Sequence, residues 1–192
     1  MVAISGSCSV LRSYLFRRGE NVPAWSPEIA NDLIAMARSE GKAFDQMHLQ
    51  ELVYIAHGWC LVITGEPLTG DRPEALEHGP EYRRLADALA RWGVQPVTSE
   101  IKLPHQHLNR SETDATFAAH ELLAAEREIL ARIYSEYGNL QTRQLALLTR
   151  ARGTPWDRVF AGGAGKGRDI PHQLIRAQFE EVAAKLPGTV RL

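Results

Sequence analysis

The chain has 192 residues, of which 44% are hydrophobic and 23% are charged, and its formal net charge is −1. This length suits one domain with a sizeable core and leaves little room for two large domains. A charge so close to zero excludes a global attraction to nucleic acid or to an anionic membrane, and the composition is typical of a soluble globular protein.

Residues 1–24 precede the first strong helix signal and are expected to form a poorly ordered N-terminal leader. Their basic residues follow the apolar ones, which is the reverse of a secretory signal peptide. The longest apolar run, residues 52–63, is too short to cross a bilayer. The two cysteines, Cys8 and Cys60, suggest no disulfide framework. These features predict a cytoplasmic protein.

The first helix is predicted to start at Ser26, which suits the N-cap, with Pro27 at the first helical position. Apolar residues at helical spacing extend it to Gly41. A second helix is predicted over residues 46–63, where a glycine–proline turn ends it. This helix is apolar on nearly all sides, which is typical of a buried helix.

The rest of the chain also favours helices. They are predicted over residues 81–92, 115–137, 141–150, 155–160 and 171–186. Residues 68–78 suggest a short extended piece, and residues 94–114 an exposed loop. The glycine-rich segment 161–169 is expected to be a flexible surface loop. The sequence therefore predicts a mainly α fold: a single compact helical domain of six to seven helices over residues 25–186, with at most a small β element and a short tail, residues 187–192.

A narrow polar strip interrupts the apolar surface of the second helix. Helical spacing places on it Gln50, Tyr54, His57 and Gly58, with Glu51 at its edge. One interpretation is that the strip bonds internally to the turn at residues 79–80 and to the corner at residues 149–156, because buried polar groups usually find partners inside the fold. The alternative is that strip and corner form a groove for a partner protein.

Three kinds of chemistry are disfavoured by the motifs. The glycine-rich segment has Gly167 where a P-loop needs Ser or Thr after Gly-Lys. No pair of histidines or cysteines is joined by a second pair at the spacing of a metal site, so no metal or cofactor is predicted. Cys60 lies mid-helix among apolar residues, where an unreactive buried thiol is expected. No catalytic residue is predicted, and the chain is interpreted as a non-enzyme.

A DNA-binding interpretation comes from residues 129–150, whose helix–glycine–helix pattern is similar to a helix-turn-helix. A recognition helix there would present Gln141, Arg143 and Gln144 to a groove. Such corners are common in helical domains, however, and the chain has no overall basic charge. A DNA-binding regulator is therefore a less favoured alternative.

The stretch LQELVYIAHGWCLVITGEPL, residues 49–68, resembles the signature of the Panacea antitoxin domain, the SocA-like and GepA-like phage-associated family. Shorter motifs follow in the same order, including HGP at residues 78–80 and PW at residues 155–156, and the resemblance covers residues 26–184. It assigns structural roles to Trp59, Gly65, Gly79, Pro80, Thr149 and Pro155. Some positions depart from the pattern of the family: Glu51, Leu76, Glu81 and Arg150. The chain is identified as a divergent member.

The resemblance implies an antitoxin that neutralises a cognate toxin protein, encoded by a neighbouring gene, by direct binding. A second role that it implies is a phage-associated adaptor that delivers a partner to a ClpXP-type protease. The residues expected to contact the partner lie on the polar strip and around the corner. They are Gln50, Glu51, Tyr54, His57, Tyr82, Arg83, Arg150, Trp156 and Arg158.

Overall fold

The computed structural model describes residues 23–102 and 122–185. These ranges contain seven α-helices and one two-stranded hairpin. In chain order the elements are α1 (Ser26–Ser39), α2 (Gln46–Ile63), β1 (Glu74–Leu76), β2 (Gly79–Glu81), α3 (Arg83–Leu89), α4 (Ala124–Tyr137), α5 (Thr142–Arg150), α6 (Pro155–Phe160) and α7 (His172–Lys185). The predicted mainly α fold with a small β element is confirmed. The predicted leader and tail lie almost wholly outside the described residues, and the division into these segments stays a prediction.

Helix α2 is the centre of the fold. Asp45 caps its start by accepting a hydrogen bond from the His48 amide, and every residue from His48 to Leu61 is buried. Helices α1, α3, α4, α5 and α7 and strand β2 all pack around it. Burial on every side explains why this helix lacks the single apolar stripe of a surface helix.

The helix starts differ from the predictions where a longer-range contact competes. Trp25, not Ser26, is the N-cap of α1, and the Glu28 carboxylate accepts the Trp25 amide at 2.7 Å. The Ser26 hydroxyl donates instead to Asp71 Oδ2 at 2.5 Å. The prediction of Ser26 as the N-cap was wrong because Asp71 engages its side chain.

Two other predicted helices are shorter than expected. Glu81 belongs to β2, so α3 begins only at Arg83, and a 3-10 turn, Ala90–Trp92, follows it. In the predicted helix over residues 115–137, Leu123 is the N-cap of α4 and donates its amide to Glu126. Residues 115–121 lie outside the described residues.

The hairpin forms the surface beside α2. Strands β1 and β2 are antiparallel, with Ala75 opposite Pro80. The glycine-rich segment runs along the other side of β1: the Ala75 amide donates to Arg168 O at 2.8 Å, and the Gly167 amide donates to Ala75 O at 2.9 Å. Most of this segment is exposed, as predicted, and these bonds join its end to the hairpin, while its flexibility stays a prediction.

No helix in the described ranges has the length and apolar character needed to span a membrane. The same ranges hold no group of three or more His, Cys, Asp or Glu side chains that could bind a metal ion. His105 and His107, two residues apart in the sequence, lie outside these ranges.

Candidate functional site

The polar strip of α2 does not reach the surface. Gln50 and Glu51 are 3% and 1% exposed, and Tyr54 and His57 are fully buried. Each of these side chains faces an element that packs on α2. The strip is therefore an internal junction between α2 and the rest of the domain. This is the arrangement expected if the polar groups of the strip bond inside the fold.

Gln50 links α2 to the start of α3. Its amide nitrogen donates to Tyr82 O at 3.1 Å, and its amide oxygen accepts the Tyr82 amide at 2.8 Å. Both main-chain groups of Tyr82 are thereby satisfied inside the protein, at the residue where β2 ends and α3 begins. One buried side chain thus fixes the hairpin against the central helix.

Glu51 faces the C-terminal end of α5. Its Oε1 lies 3.9 Å from Arg150 Nε, while the Glu51 side chain is 1% exposed and that of Arg150 is 33% exposed. Burial raises the pKa of Glu51 to about 7, although a hydrogen bond from Thr149 and the charge of Arg150 both lower it. The carboxyl group therefore titrates near neutral pH, because desolvation outweighs its two stabilising neighbours.

Gly79 makes room for the Arg150 side chain. Its φ is +128°, and a Cβ atom built there would lie 2.9 Å from Arg150 Cδ. A side chain at position 79 would both strain the backbone and displace Arg150. The turn before β2 therefore sets the path of the arginine that reaches from the surface to Glu51.

His57 forms a second buried cluster, with Thr69 and His172. Its Nδ1 lies 3.0 Å from Thr69 Oγ1, and its ring centroid lies 4.8 Å from that of His172. Burial and, to a lesser extent, the nearby His172 lower the pKa of His57 to about 3. His57 is therefore uncharged at neutral pH and acts as a packing and hydrogen-bonding residue.

Cys60 and Tyr54 are two further buried residues of α2, and the Cys60 thiol lies 3.5 Å from the Thr64 hydroxyl. Both side chains are fully buried, and the Tyr54 ring packs against Phe179 of α7 with centroids 6.3 Å apart. The predicted burial of the Cys60 thiol is confirmed. A buried thiol without access to solvent is a poor nucleophile.

The corner residues, in contrast, have exposed surface. Arg83 forms a bidentate ion pair with Glu74 of β1, at 2.9 and 2.6 Å. Trp156 is half-buried; its indole nitrogen donates to Leu76 O at 2.7 Å, and its ring stacks on Phe160. Arg158, on α6, is exposed. Around the corner, α6 thus presents one aromatic and one cationic side chain, and the start of α3 presents a second cationic side chain that is paired with Glu74.

The outer face of α5 carries a feature that was not predicted. Leu147 is 69% exposed and Leu148 is 38% exposed, while Leu145 and Thr149 of the same helix are buried. Helical spacing was the available signal: since residues 142, 145, 146 and 149 form one inward face, the two leucines between them must point elsewhere.

Comparison with known proteins identifies this arrangement. Residues 49–157, more than half of the chain, match the family model described as Antitoxin SocA-like, Panacea domain. The chain belongs to this family. The Panacea resemblance is thereby confirmed, and the matched region runs from the strip of α2 to the corner at Trp156.

One curated relative is similar over most of this Panacea-domain protein. Antitoxin SocA of Caulobacter vibrioides (strain NA1000 / CB15N) is 28% identical over 171 residues, which cover 83% of this chain and 85% of the relative. No solved structure matches. At this level of identity, the chain is a divergent member of an antitoxin family.

The residues predicted to contact a partner fall into two groups. Five are buried: Gln50, Glu51, Tyr54, His57 and Tyr82. Four keep exposed or partly exposed surface: Arg83, Arg150, Trp156 and Arg158. Only the second group can touch another protein in this conformation, and a partner-binding role for any of the nine stays a prediction.

The residues assigned structural roles are mostly placed as expected for such roles. Trp59 and Thr149 are buried, Gly65 and Gly79 have positive φ, and Pro155 begins α6. Pro80 lies in β2, opposite Ala75.

Proposed function

We propose that this Panacea-domain protein is the antitoxin of a toxin–antitoxin pair and neutralises a toxin protein by stoichiometric binding, without catalysis. The observation that carries the proposal is the family match over residues 49–157, which includes the central helix and the corner. The similarity to a relative named Antitoxin SocA supports it further. We place this activity in the cytoplasm, where a toxin encoded next door would be made.

The geometry suggests how such a protein would act. The buried contacts of Gln50 and Glu51 fix the hairpin and α5 to α2, so the surface above them is preorganised. A preorganised surface loses little conformational entropy on binding. Arginine and tryptophan are the side chains that most often dominate binding energy, and Arg150, Trp156 and Arg158 lie there.

A growth assay tests the proposal. The protein encoded by the neighbouring gene is expressed in bacteria alone and then together with this chain. We expect the neighbour to arrest growth and this chain to restore it, and the two proteins to co-purify. If arrest persists while this chain is soluble and abundant, neutralisation of that neighbour is wrong.

The adaptor role predicts a different readout in the same strains. An adaptor removes its partner, so the amount of toxin would fall when this chain is present and would recover in a strain lacking the ClpXP-type protease. Direct neutralisation leaves the toxin level unchanged and gives a stable complex. Quantitative blotting of the toxin separates these outcomes.

A further inference from the structure

We propose that the outer face of α5 is a docking surface for an acidic amphipathic segment of the partner protein. This inference deepens the proposed function and rests on it. The surface, named here the α5 patch, consists of Leu147 and Leu148 with the flanking residues Arg143, Ala151 and Arg152.

The centre of the α5 patch is apolar. Among the residues that the structure describes, the exposed large hydrophobic side chains are Val94, Leu147 and Leu148, so two of the three are neighbours on one helix. Burial of two adjacent exposed leucines by a partner would lower their free energy, because it removes their apolar surface from water. Val94 follows a 3-10 turn elsewhere in the chain and has no such neighbour.

The rim of the α5 patch is cationic. Arg143 lies one helical turn before Leu147, and residues four apart on a helix share a face. Arg143, Arg152 and the nearby Arg158 are exposed and form no ion pair within the described ranges. Asp157 is the only acidic residue between positions 141 and 158, and its carboxylate already accepts the Gly153 amide at 2.8 Å.

Some arginines elsewhere in the domain are neutralised by ion pairs, in contrast. Arg83 pairs with Glu74 at 2.6 Å, and Arg176 pairs with Glu180 at 2.8 Å. The α5 patch therefore offers guanidinium groups that are available for carboxylates from outside, and arginine binds carboxylates through two parallel hydrogen bonds. Charge complementarity requires an acidic partner around an apolar centre.

This chemistry favours an acidic protein segment over the other occupants. Nucleic acid would pair its phosphates with the arginines but would leave the two leucines without an apolar partner. A second copy of this chain, related by a two-fold axis, would bring the same arginines of both copies close to each other. An amphipathic helix with leucines along one stripe and glutamates beside it satisfies both parts of the patch.

The α5 patch can be tested on the full chain without knowledge of the toxin. Three labelled probes are titrated by fluorescence anisotropy at low salt: an amphipathic Leu/Glu peptide, its Leu/Lys counterpart and a DNA duplex. We expect the Leu/Glu peptide to bind about tenfold or more tightly than the other two. Equal binding of the two peptides, tighter binding of the duplex, or a dimer of the free chain that Leu147→Ser dissociates would each overturn the inference.

Matched variants locate the binding. Leu147→Ser and Arg143→Glu are expected to reduce the affinity for the Leu/Glu peptide about tenfold each. Val94→Ser, which removes an apolar side chain that is 89% exposed, and Arg38→Glu, which reverses an exposed charge on α1, should leave it unchanged. If the control variants lose as much affinity for the peptide as the patch variants do, the attraction is non-specific and the inference is contradicted.

The growth assay separates this inference from the proposed function. If the wild-type chain restores growth while Leu147→Ser does not, and Val94→Ser does, both stand. If the wild-type chain and both variants restore growth equally, the docking role of the α5 patch is wrong and the antitoxin function stands. If the wild-type chain never restores growth, the proposed function fails for that neighbour, and the peptide titrations alone decide whether the α5 patch binds acidic segments.

Discussion

Gly58 shows how strongly a single position constrains this fold. It lies in the middle of α2, where a Cβ atom would come within 2.3 Å of Phe179 Cε2 on α7. The Phe179 ring cannot easily move, because it packs edge-on against Trp59 at 5.5 Å and beside Tyr54 at 6.3 Å. A glycine inside a helix costs roughly 1 kcal/mol relative to alanine, so close helix packing has to offset that cost.

We expect Gly58→Ala to destabilise the protein by about 1–3 kcal/mol, because overpacking at Phe179 outweighs the better helix propensity of alanine. Urea unfolding at neutral pH measures the change. Phe179→Leu, which offers a smaller and more adaptable side chain, should recover part of the loss when combined with Gly58→Ala. A stabilised Gly58→Ala variant, or strictly additive effects of the two changes, would show that Phe179 is not the reason for this glycine.

The sequence placed Gly58 on the polar strip but gave no reason for a glycine there. Helical periodicity identifies which residues of one helix share a face, and it does so well for α2. It contains no information on which distant residue covers that face. Phe179 lies near the other end of the chain, so the close approach of α2 and α7 was invisible before the structure.

At the scale of elements, one side chain joins the hairpin to the central helix. Gln50 satisfies both the amide and the carbonyl of Tyr82, which is fully buried. The chain changes from β2 to α3 at this residue: the Tyr82 carbonyl also accepts the Ala86 amide of α3 at 2.9 Å, whereas the Tyr82 amide bonds to Gln50. The junction of strand and helix therefore depends on a hydrogen-bonding side chain from α2.

Gln50→Leu keeps the approximate volume but leaves the buried Tyr82 amide without its partner, while the Tyr82 carbonyl keeps its bond from the Ala86 amide. We expect a loss of about 1–3 kcal/mol, which is roughly the cost of one unsatisfied buried group. The control is Gln173→Leu, which changes an exposed glutamine of α7 and should alter stability little. Similar urea unfolding midpoints for the two variants would show that the Gln50 side chain does not stabilise the junction of β2 and α3.

The elements themselves were largely predictable, but the contacts between them were not. The spacing of apolar residues gave the extent of α2, and glycine and proline signals placed α5, α6 and α7 within one or two residues of their observed bounds. The errors came where a long-range partner competes with a local preference. Asp71 takes the Ser26 side chain, and pairing with β1 draws Glu81 into a strand.

The candidate site was predicted only in part, because contacts between residues distant in the sequence cannot be read from local spacing. Local spacing could assemble the strip on α2, but it could not show that Arg150 reaches Glu51 beside Gly79, or that five of the nine predicted contact residues are buried. The exposed leucines of α5 were not predicted, because no inward and outward face had been assigned to this short helix. The only signal in the sequence was their position outside the inward face of the helix.

At the scale of the whole molecule, two buried titratable groups change the stability in opposite directions as the pH rises. The pKa of Glu51 is raised from 4.5 to about 7, so its contribution to stability is complete below pH 4.5 and is lost as the pH rises to about 7. The pKa of His57 is lowered from 6.5 to about 3, so its contribution is complete above pH 6.5 and is lost as the pH falls to about 3. The two trends oppose each other between pH 4.5 and 6.5.

This opposition makes Glu51→Gln the most informative variant of the domain. Glutamine keeps the shape of the side chain and removes its titration, so only the His57 trend remains of the pair. Relative to the wild type, the variant should therefore gain stability as the pH rises from 4.5 towards 7, by at most about 1.4 kcal/mol per pH unit.

Urea unfolding of both proteins across this pH range gives the difference directly, and the subtraction removes every titrating group that they share. Glu77→Gln, at a carboxyl group whose side chain is 66% exposed, serves as the matched control and should run parallel to the wild type. If the Glu51→Gln profile also runs parallel to the wild type, the Glu51 carboxyl is ionised throughout, and Arg150 rather than burial dominates its environment.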